Sequence, residues 1–238
     1  MFKRIFLMFL IAASVSFTTR ADLFATNITE LIDTPTHSIL DYGSYEIQFR
    51  VFTDGGVTPR LSCGIFKILN IGVSWEFSNI IGVGNTVVAI PALQLKLSVY
   101  EGDANLPGVA VGYDGQGFFY NDSDAEFLQK GKGVYAVAGK ELFLPGLNFN
   151  AGLNVNDFKD VALIGFLGSS YSIVDETLLA MLEYDNIGKG ADARLNVGFK
   201  LWATENFGID LILRNILTGD EERLGCERVL RLSYQGRF

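Results

Sequence analysis

Period-two alternation of apolar and polar residues recurs along almost the whole chain, and it leaves few folds open. Tyr45, Ile47, Phe49 and Val51 alternate with Glu46, Gln48 and Arg50. Leu61, Cys63 and Ile65 do so with Arg60, Ser62 and Gly64, and Ile71, Val73, Trp75 and Phe77 with Gly72, Ser74, Glu76 and Ser78. The pattern returns around Leu95, Val111, Leu153, Leu182, Phe199 and Leu211, and last in Leu230, Leu232, Tyr234, Gly236 and Phe238 against Arg231, Ser233, Gln235 and Arg237. Successive side chains of a strand point to opposite faces, so each stretch reads as a strand with one greasy and one charged face. One such strand suits the edge of a soluble sheet. About a dozen, separated by turn signals such as TDGG, KILN and FLPG, predict an all-β, antiparallel up-and-down barrel of about twelve strands.

The polarity of the barrel follows from composition. Mean hydropathy is positive and 49% of residues are apolar, yet beyond the N-terminal segment no run approaches the ~18 apolar residues of a membrane helix. A closed barrel pairs every backbone N–H and C=O internally and turns its apolar faces to lipid, so the expected barrel is transmembrane. Connections after the second, fourth, sixth, eighth and tenth strands read as short, and most others as longer and more polar, which puts both termini on the periplasmic side. Phe52, Phe66, Phe143, Tyr171, Tyr184, Trp202 and Phe207 fall near strand ends, where interfacial girdles lie. The facing of residues 134–141 stays ambiguous because Ala and Val fill both sides, and residues 161–172 are apolar on both faces.

At the N-terminus Lys3 and Arg4 precede the apolar run 5–15 and small residues, a secretory signal peptide over residues 1–21, with cleavage before Phe17 as an alternative. Residues 22–42 form a polar lead-in that would serve as a periplasmic tail, a short plug or the start of a strand; the barrel domain spans 43–238. Cys63 and Cys226 are too few for a disulfide framework and are expected to stay unbonded. With 27 acidic against 19 basic residues, nucleic acid is excluded as a partner.

The closing strand, in which Leu230, Leu232, Tyr234 and the terminal Phe238 share one face, resembles the signature read by the outer-membrane barrel assembly machinery of Gram-negative bacteria. Several phrases also resemble uncharacterised outer-membrane barrels related to the YjbH-type proteins associated with exopolysaccharide production. They are LIDTPT (31–36), IGVSWEFSNIIG (71–82), LPGVAVGYDGQG (106–117), GVYAVAGKEL (133–142), and EYDN (183–186) followed by RLNVGF (194–199). The resemblance implies a barrel in the bacterial outer membrane, among lipid and lipopolysaccharide, with a link to the envelope or to polysaccharide export. Its phrases describe strand and turn geometry and carry no catalytic signature.

No enzyme is expected. His37 is the only histidine and has no serine or acid placed beside it by strand register. GKGVYAVAGKE departs from a P-loop in spacing and in Glu141, and IGVGNTVV is an incomplete dinucleotide fingerprint. Neither a cofactor nor a Cys/His metal cluster is expected, and Asp220, Glu221 and Glu222 read as a solvated acidic loop, with a cation bridging lipopolysaccharide phosphates as the alternative. The constellation that carries chemistry lies on the inward faces: Arg50, Arg60, Lys96, Arg194, Lys200, Arg214, Arg231 and Arg237, beside Glu46, Glu76, Asp114, Glu183, Asp185 and Asp210. Because the last strand closes on the first, Arg231 and Arg237 approach Arg50, with Arg60 and Arg214 adjoining, as one basic wall. In an open lumen such a wall favours anions and predicts a narrow, anion-leaning pore or export conduit. If the charges pair across a small lumen, the same residues make a closed structural barrel serving an envelope, secretion or exopolysaccharide partner.

Overall fold

The computed structural model describes residues 27–81, 84–156, 158, 161–174, 177–217 and 225–238. The expected signal segment, the first residues of the lead-in, and Asp220, Glu221 and Glu222 lie outside the described residues. Sixteen strands follow in order: β1 (Ser44–Phe52), β2 (Gly56–Phe66), β3 (Leu69–Ser74), β4 (Phe77–Ser78), β5 (Val87–Val88), β6 (Ala92–Tyr100), β7 (Gly108–Asp114), β8 (Phe118–Asn121), β9 (Glu126–Gln129), β10 (Gly133–Glu141), β11 (Leu147–Val155), β12 (Ile164–Val174), β13 (Leu178–Ile187), β14 (Arg194–Trp202), β15 (Phe207–Arg214) and β16 (Glu227–Arg237).

Twelve of them form the wall, each antiparallel to its neighbours, in the order β1, β16, β15, β14, β13, β12, β11, β10, β7, β6, β3, β2. Because β1 pairs with both β16 and β2, the twelve wall strands close into a barrel, each paired on both sides. The short β4 and β5 extend the rim beyond β2, and β8 and β9 form a separate hairpin. The start of β1 and the end of β16 meet at one rim, where the Phe238 N–H donates to the Gly43 carbonyl. The connections β2–β3, β6–β7, β10–β11, β12–β13 and β14–β15 share that rim; the connections β3–β6, β7–β10 and β15–β16 leave and rejoin the wall at the other.

Alternation sorts the wall as the sequence predicts. Phe49, Leu95, Leu182, Phe199 and Leu211 are exposed on the outside, whereas Arg50, Lys96, Glu183, Lys200 and Arg231 are buried inside. That inverts a soluble protein and suits a wall in hydrocarbon. The ambiguous β10 places Tyr135 and Val137 inward, where they meet Ala110 and Phe166 in an apolar cluster. Two aromatics expected at the girdle face inward instead: Phe52 and Trp202 continue the even-numbered, inward faces of β1 and β14 and are each 7% exposed. Cys63 and Cys226 are free.

Glycine opposite an aromatic ring is a recurring device of this wall. Tyr135 lies across Gly112, Phe166 across Gly152 and Tyr45 across Gly236 on the neighbouring strand. A Cβ on Gly152 would stand 2.2 Å from the Phe166 ring and 2.6 Å from the Ala136 carbonyl oxygen. Gly152→Val is therefore expected to cost about 1–3 kcal/mol by overpacking, read as a lower temperature at which the folded, faster-migrating band disappears in heat-modifiability gels.

Candidate functional site

The lumen is occupied by the chain itself. Residues 27–42 neither trail away nor extend β1: of the three alternatives, the described part of the lead-in is a plug. Its hairpin closes through Thr36 N–H to Thr29 O at 3.1 Å and Leu31 N–H to Thr34 O at 2.9 Å, with a bridge between Glu30 and Pro35. Pro35 supplies no donor and holds its predecessor extended, which suits the return strand of so tight a turn. Leu31, Ile32 and Thr34 at the tip are at most 1% exposed. Leu31 and Ile32 pack against Phe52, Met181, Ile212 and Val229, and Gly168 makes room, since a Cβ there would lie 2.4 Å from Leu31 Cδ1.

Glu183 on β13 captures this tip. Its Oε2 accepts the backbone N–H groups of Ile32, Asp33 and Thr34 at 3.2, 2.9 and 2.9 Å and the Thr34 hydroxyl at 2.8 Å. Its Oε1 accepts Asn196 Nδ2 at 2.7 Å. Consecutive N–H groups converging on one oxygen form an anion nest, with the usual roles exchanged: the wall provides the anion and the plug the donors.

Plug carboxylates in turn satisfy wall cations. Asp33 bridges Arg50 (2.8 Å) and Arg214 (2.6 Å), and Glu30 bridges Arg60 and Arg231 (3.2 Å). Lys96 donates to the Thr29 carbonyl at 2.7 Å, and Arg231 to the carbonyls of Leu31 and Ile32. The register explains the need: Arg50 stands directly opposite Arg231 across the β1–β16 seam, and like charges so placed repel. Arg231 also has Asp210 at 2.5 Å, Arg60 has Asp114 at 3.2 Å and Arg214 has Glu227. Among the described residues Asp33 is the sole carboxylate on Arg50, whose Nε and Nη2 have no partner.

A second segment enters the lumen from the opposite mouth. Residues 117–132, expected as a polar outer loop, fold inward as the β8–β9 hairpin because the lumen offers their side chains partners. The Arg50 and Arg214 guanidinium carbons each lie 4.3 Å from the Phe118 ring centroid. Phe119, held at φ 59°, meets Phe52 edge-on at 5.7 Å, and Gln129 Oε1 accepts from Arg194 and Arg214. Glu76, in the connection after β3, seats the hairpin by accepting Tyr120 N–H at 2.8 Å.

Burial pushes the Glu76 carboxyl above its ordinary value, against the hydrogen bonds from Tyr120, Ser78 and Phe119 that pull it down. A raised value in the seated state means the protonated form is favoured there, so seating is strongest below the ordinary carboxylate range and weakens as pH rises through Glu76's own value. Hydrogen exchange over residues 118–129, corrected for intrinsic rate, is expected to slow between pH 7 and pH 4, and Glu76→Gln to abolish that difference.

Of the expected basic wall, Arg50, Arg60, Lys96, Arg194, Lys200, Arg214 and Arg231 all face the lumen. Arg194 pairs with Asp185 at 3.0 Å and Lys200 with Asp210 at 2.8 Å. Arg237 departs from the expectation: one turn of pleat beyond the buried strand it reaches the rim, exposed, 2.5 Å from Asp41. Glu46 faces inward and accepts Gln235 Nε2 at 2.9 Å. Glu76 belongs to the mouth, since the chain leaves β3 at Ser74. Leu230 and Tyr234 face outward, and Phe238 stacks on Tyr45 at 5.7 Å. Sequence reasoning missed Glu30 and Asp33, buried Lys132 paired with Asp185, and Glu227, which opens β16 instead of ending the acidic loop. The signal available for the first two was the apolar Leu31–Ile32 pair inside a polar stretch.

Toward the rim where β1 begins and β16 ends, the plug leaves a vestibule of about 430 Å³ lined by Asn148, Asn150, Ser170, His37, Leu31 and Trp202 among others. His37 Nδ1 is 3.1 Å from Asn150 Oδ1. No group of three or more His, Cys, Asp or Glu among the described residues is arranged to hold a metal.

No protein-family model matches the chain, and no curated protein matches its sequence. Solved structures do share its architecture. The COG4313 outer membrane channel from Pseudomonas putida F1 is 15% identical, with a TM-score of 0.51 over 84% of this chain and 98% of that one. A KdgM porin is 14% identical, with a TM-score of 0.48 over 82% of this chain and 99% of that one. At 15% identity the likeness to the COG4313 channel is one of fold alone, in keeping with the closed antiparallel barrel.

Proposed function

We propose that this protein is an outer-membrane channel that rests closed, sealed in the middle by its N-terminal hairpin and at the far mouth by the β8–β9 hairpin. The observation that carries the reading is how the plug is attached. It contributes no strand to the barrel and joins the wall covalently only at residue 43, so withdrawing it unpairs nothing in the twelve-stranded ladder. Once it has left, Arg50, Arg60, Arg214 and Arg231 lose Glu30 and Asp33, and the lumen becomes more positive. The open state therefore prefers anions. LIDTPT, one of the phrases that resemble YjbH-type barrels, is the plug tip, which is consistent with an envelope role in passing acidic saccharides.

The apolar cluster around Leu31 and Ile32 favours a second reading, a permanently sealed barrel that acts through a partner. Single-channel recording in a planar bilayer under a salt gradient separates the two. Intermittent, anion-leaning steps from the full chain are expected; silence from demonstrably folded protein, repeated after Glu183→Ala, would leave the sealed barrel.

A further inference from the structure

Glu30 and Asp33 are held in an unusual way, and the arrangement has the form of a ligand site. Each carboxylate is bridged by two arginines from opposite sides of the barrel seam: Asp33 by Arg50 of β1 and Arg214 of β15, Glu30 by Arg60 of β2 and Arg231 of β16. Arginine's planar fork is matched to carboxylates, and paired forks give such sites geometric specificity. Three of these arginines also pair with a wall carboxylate, Arg60 with Asp114, Arg214 with Glu227 and Arg231 with Asp210, and the fourth does not. Arg50 faces Arg231 across the seam and makes no ion pair with a wall carboxylate among the described residues, Glu227 acting on it only from a distance, although it is buried and two of its nitrogens are unpartnered. A buried cation maintained without a partner in the wall is costly unless something else brings the anion.

Resting on the channel reading, we infer that this arginine set is a recognition site for a flexible oligocarboxylate, and that the N-terminal hairpin is its tethered competitor. The site binds two carboxylates carried on one extended molecule, as Glu30 and Asp33 are carried on one hairpin. Around it the wall offers amides and hydroxyls, among them Asn70, Gln94 and Ser62 beside Arg60 and Lys96. That mixture of fixed cations and neutral hydrogen-bonding groups suits an acidic oligosaccharide better than a fatty acid or a bare inorganic anion. Binding would expel the hairpin and open the lumen, so the solute admitted would also be the solute that unlocks. Affinity for the closed protein is lowered by the fraction of time the hairpin is seated.

The test uses the full chain with Cys63→Ser and Cys226→Ser and a reporter Ile32→Cys, its fold checked by heat-modifiability. Labelling by a bulky hydrophilic maleimide reports whether the buried tip has left the lumen. A trimer of galacturonic acid is expected to raise the labelling rate about tenfold or more, and its methyl ester, which lacks the charges, to leave the rate unchanged. In the wild-type chain with Glu30→Gln and Asp33→Asn, calorimetry is expected to show about tenfold tighter trimer binding because the competitor is disabled. Equal labelling with trimer, ester or neither overturns the inference. If labelling is flat while the protein conducts, the channel stands and the tethered-ligand idea falls; if trimer expels the tip from a protein that never conducts, the site stands and the channel falls.

Discussion

Replacing Glu183 with alanine is expected to unseat the plug and open the barrel without dissolving it. Oε2 of Glu183 alone receives three backbone N–H groups and one hydroxyl from the hairpin tip. A buried donor left without an acceptor costs about 1–3 kcal/mol. Water entering the space vacated by the carboxylate offsets part of that, so about 1 kcal/mol per donor is the appropriate figure. Four donors then shift the seated hairpin by about 4 kcal/mol, approaching a thousandfold in the ratio of open to closed. The wall should lose only the side-chain bond from Asn196 Nδ2 to Oε1, since the backbone pairing of Glu183 with Gly168 and Asn196 is preserved by alanine. The measurement is maleimide labelling of Ile32→Cys in the Glu183→Ala background, together with the heat-modifiability temperature. Fast labelling with a barely shifted temperature supports a detachable plug. Slow labelling with a large loss of stability would mean the hairpin is an integral part of the barrel.

The second large effect is electrical. Glu30→Gln with Asp33→Asn removes the two carboxylates that bridge four arginines, and breaking a buried pair by deleting one partner costs about 3–5 kcal/mol. Because Arg50 has no other ion-paired carboxylate among the described residues, most of that cost falls on the seated state and favours expulsion of the hairpin. The opened lumen keeps Asp114, Asp210 and Glu227 beside Arg60, Arg231 and Arg214. Arg50 stays bare. Reversal-potential measurements should therefore find clear anion preference in the double variant, and Arg50→Glu added to it should move the potential toward cations. A cation-preferring double variant would refute the assignment of these arginines as the wall that sets selectivity.

Much of the scaffold is legible in the chain because a β-barrel repeats one local rule. Facing is set residue by residue: Tyr45 goes out and Glu46 in for the same reason that Leu230 goes out and Arg231 in, and the period of two carries that reason along every wall strand. Twelve such stretches with paired ends imply closure, and closure implies which strands meet. The inward position of seven of the eight expected cations follows from parity alone. Arg237 is the exception, because parity gives direction and says nothing of how far a residue sits from the rim.

Tertiary structure decided what fills the barrel. Residues 27–42 have no repeating pattern; their conformation is held by Glu183, Arg50, Arg214 and Arg231, which lie some 150 to 200 positions away for Glu183 and Arg231. No local propensity encodes a contact with that separation. The same holds for the β8–β9 hairpin, whose Phe118 and Gln129 look like loop residues until Arg50, Arg194 and Arg214 are placed around them. Local alternation determines a wall and the charge that lines it; only the folded chain shows that this charge is already answered by two carboxylates from the chain's own beginning.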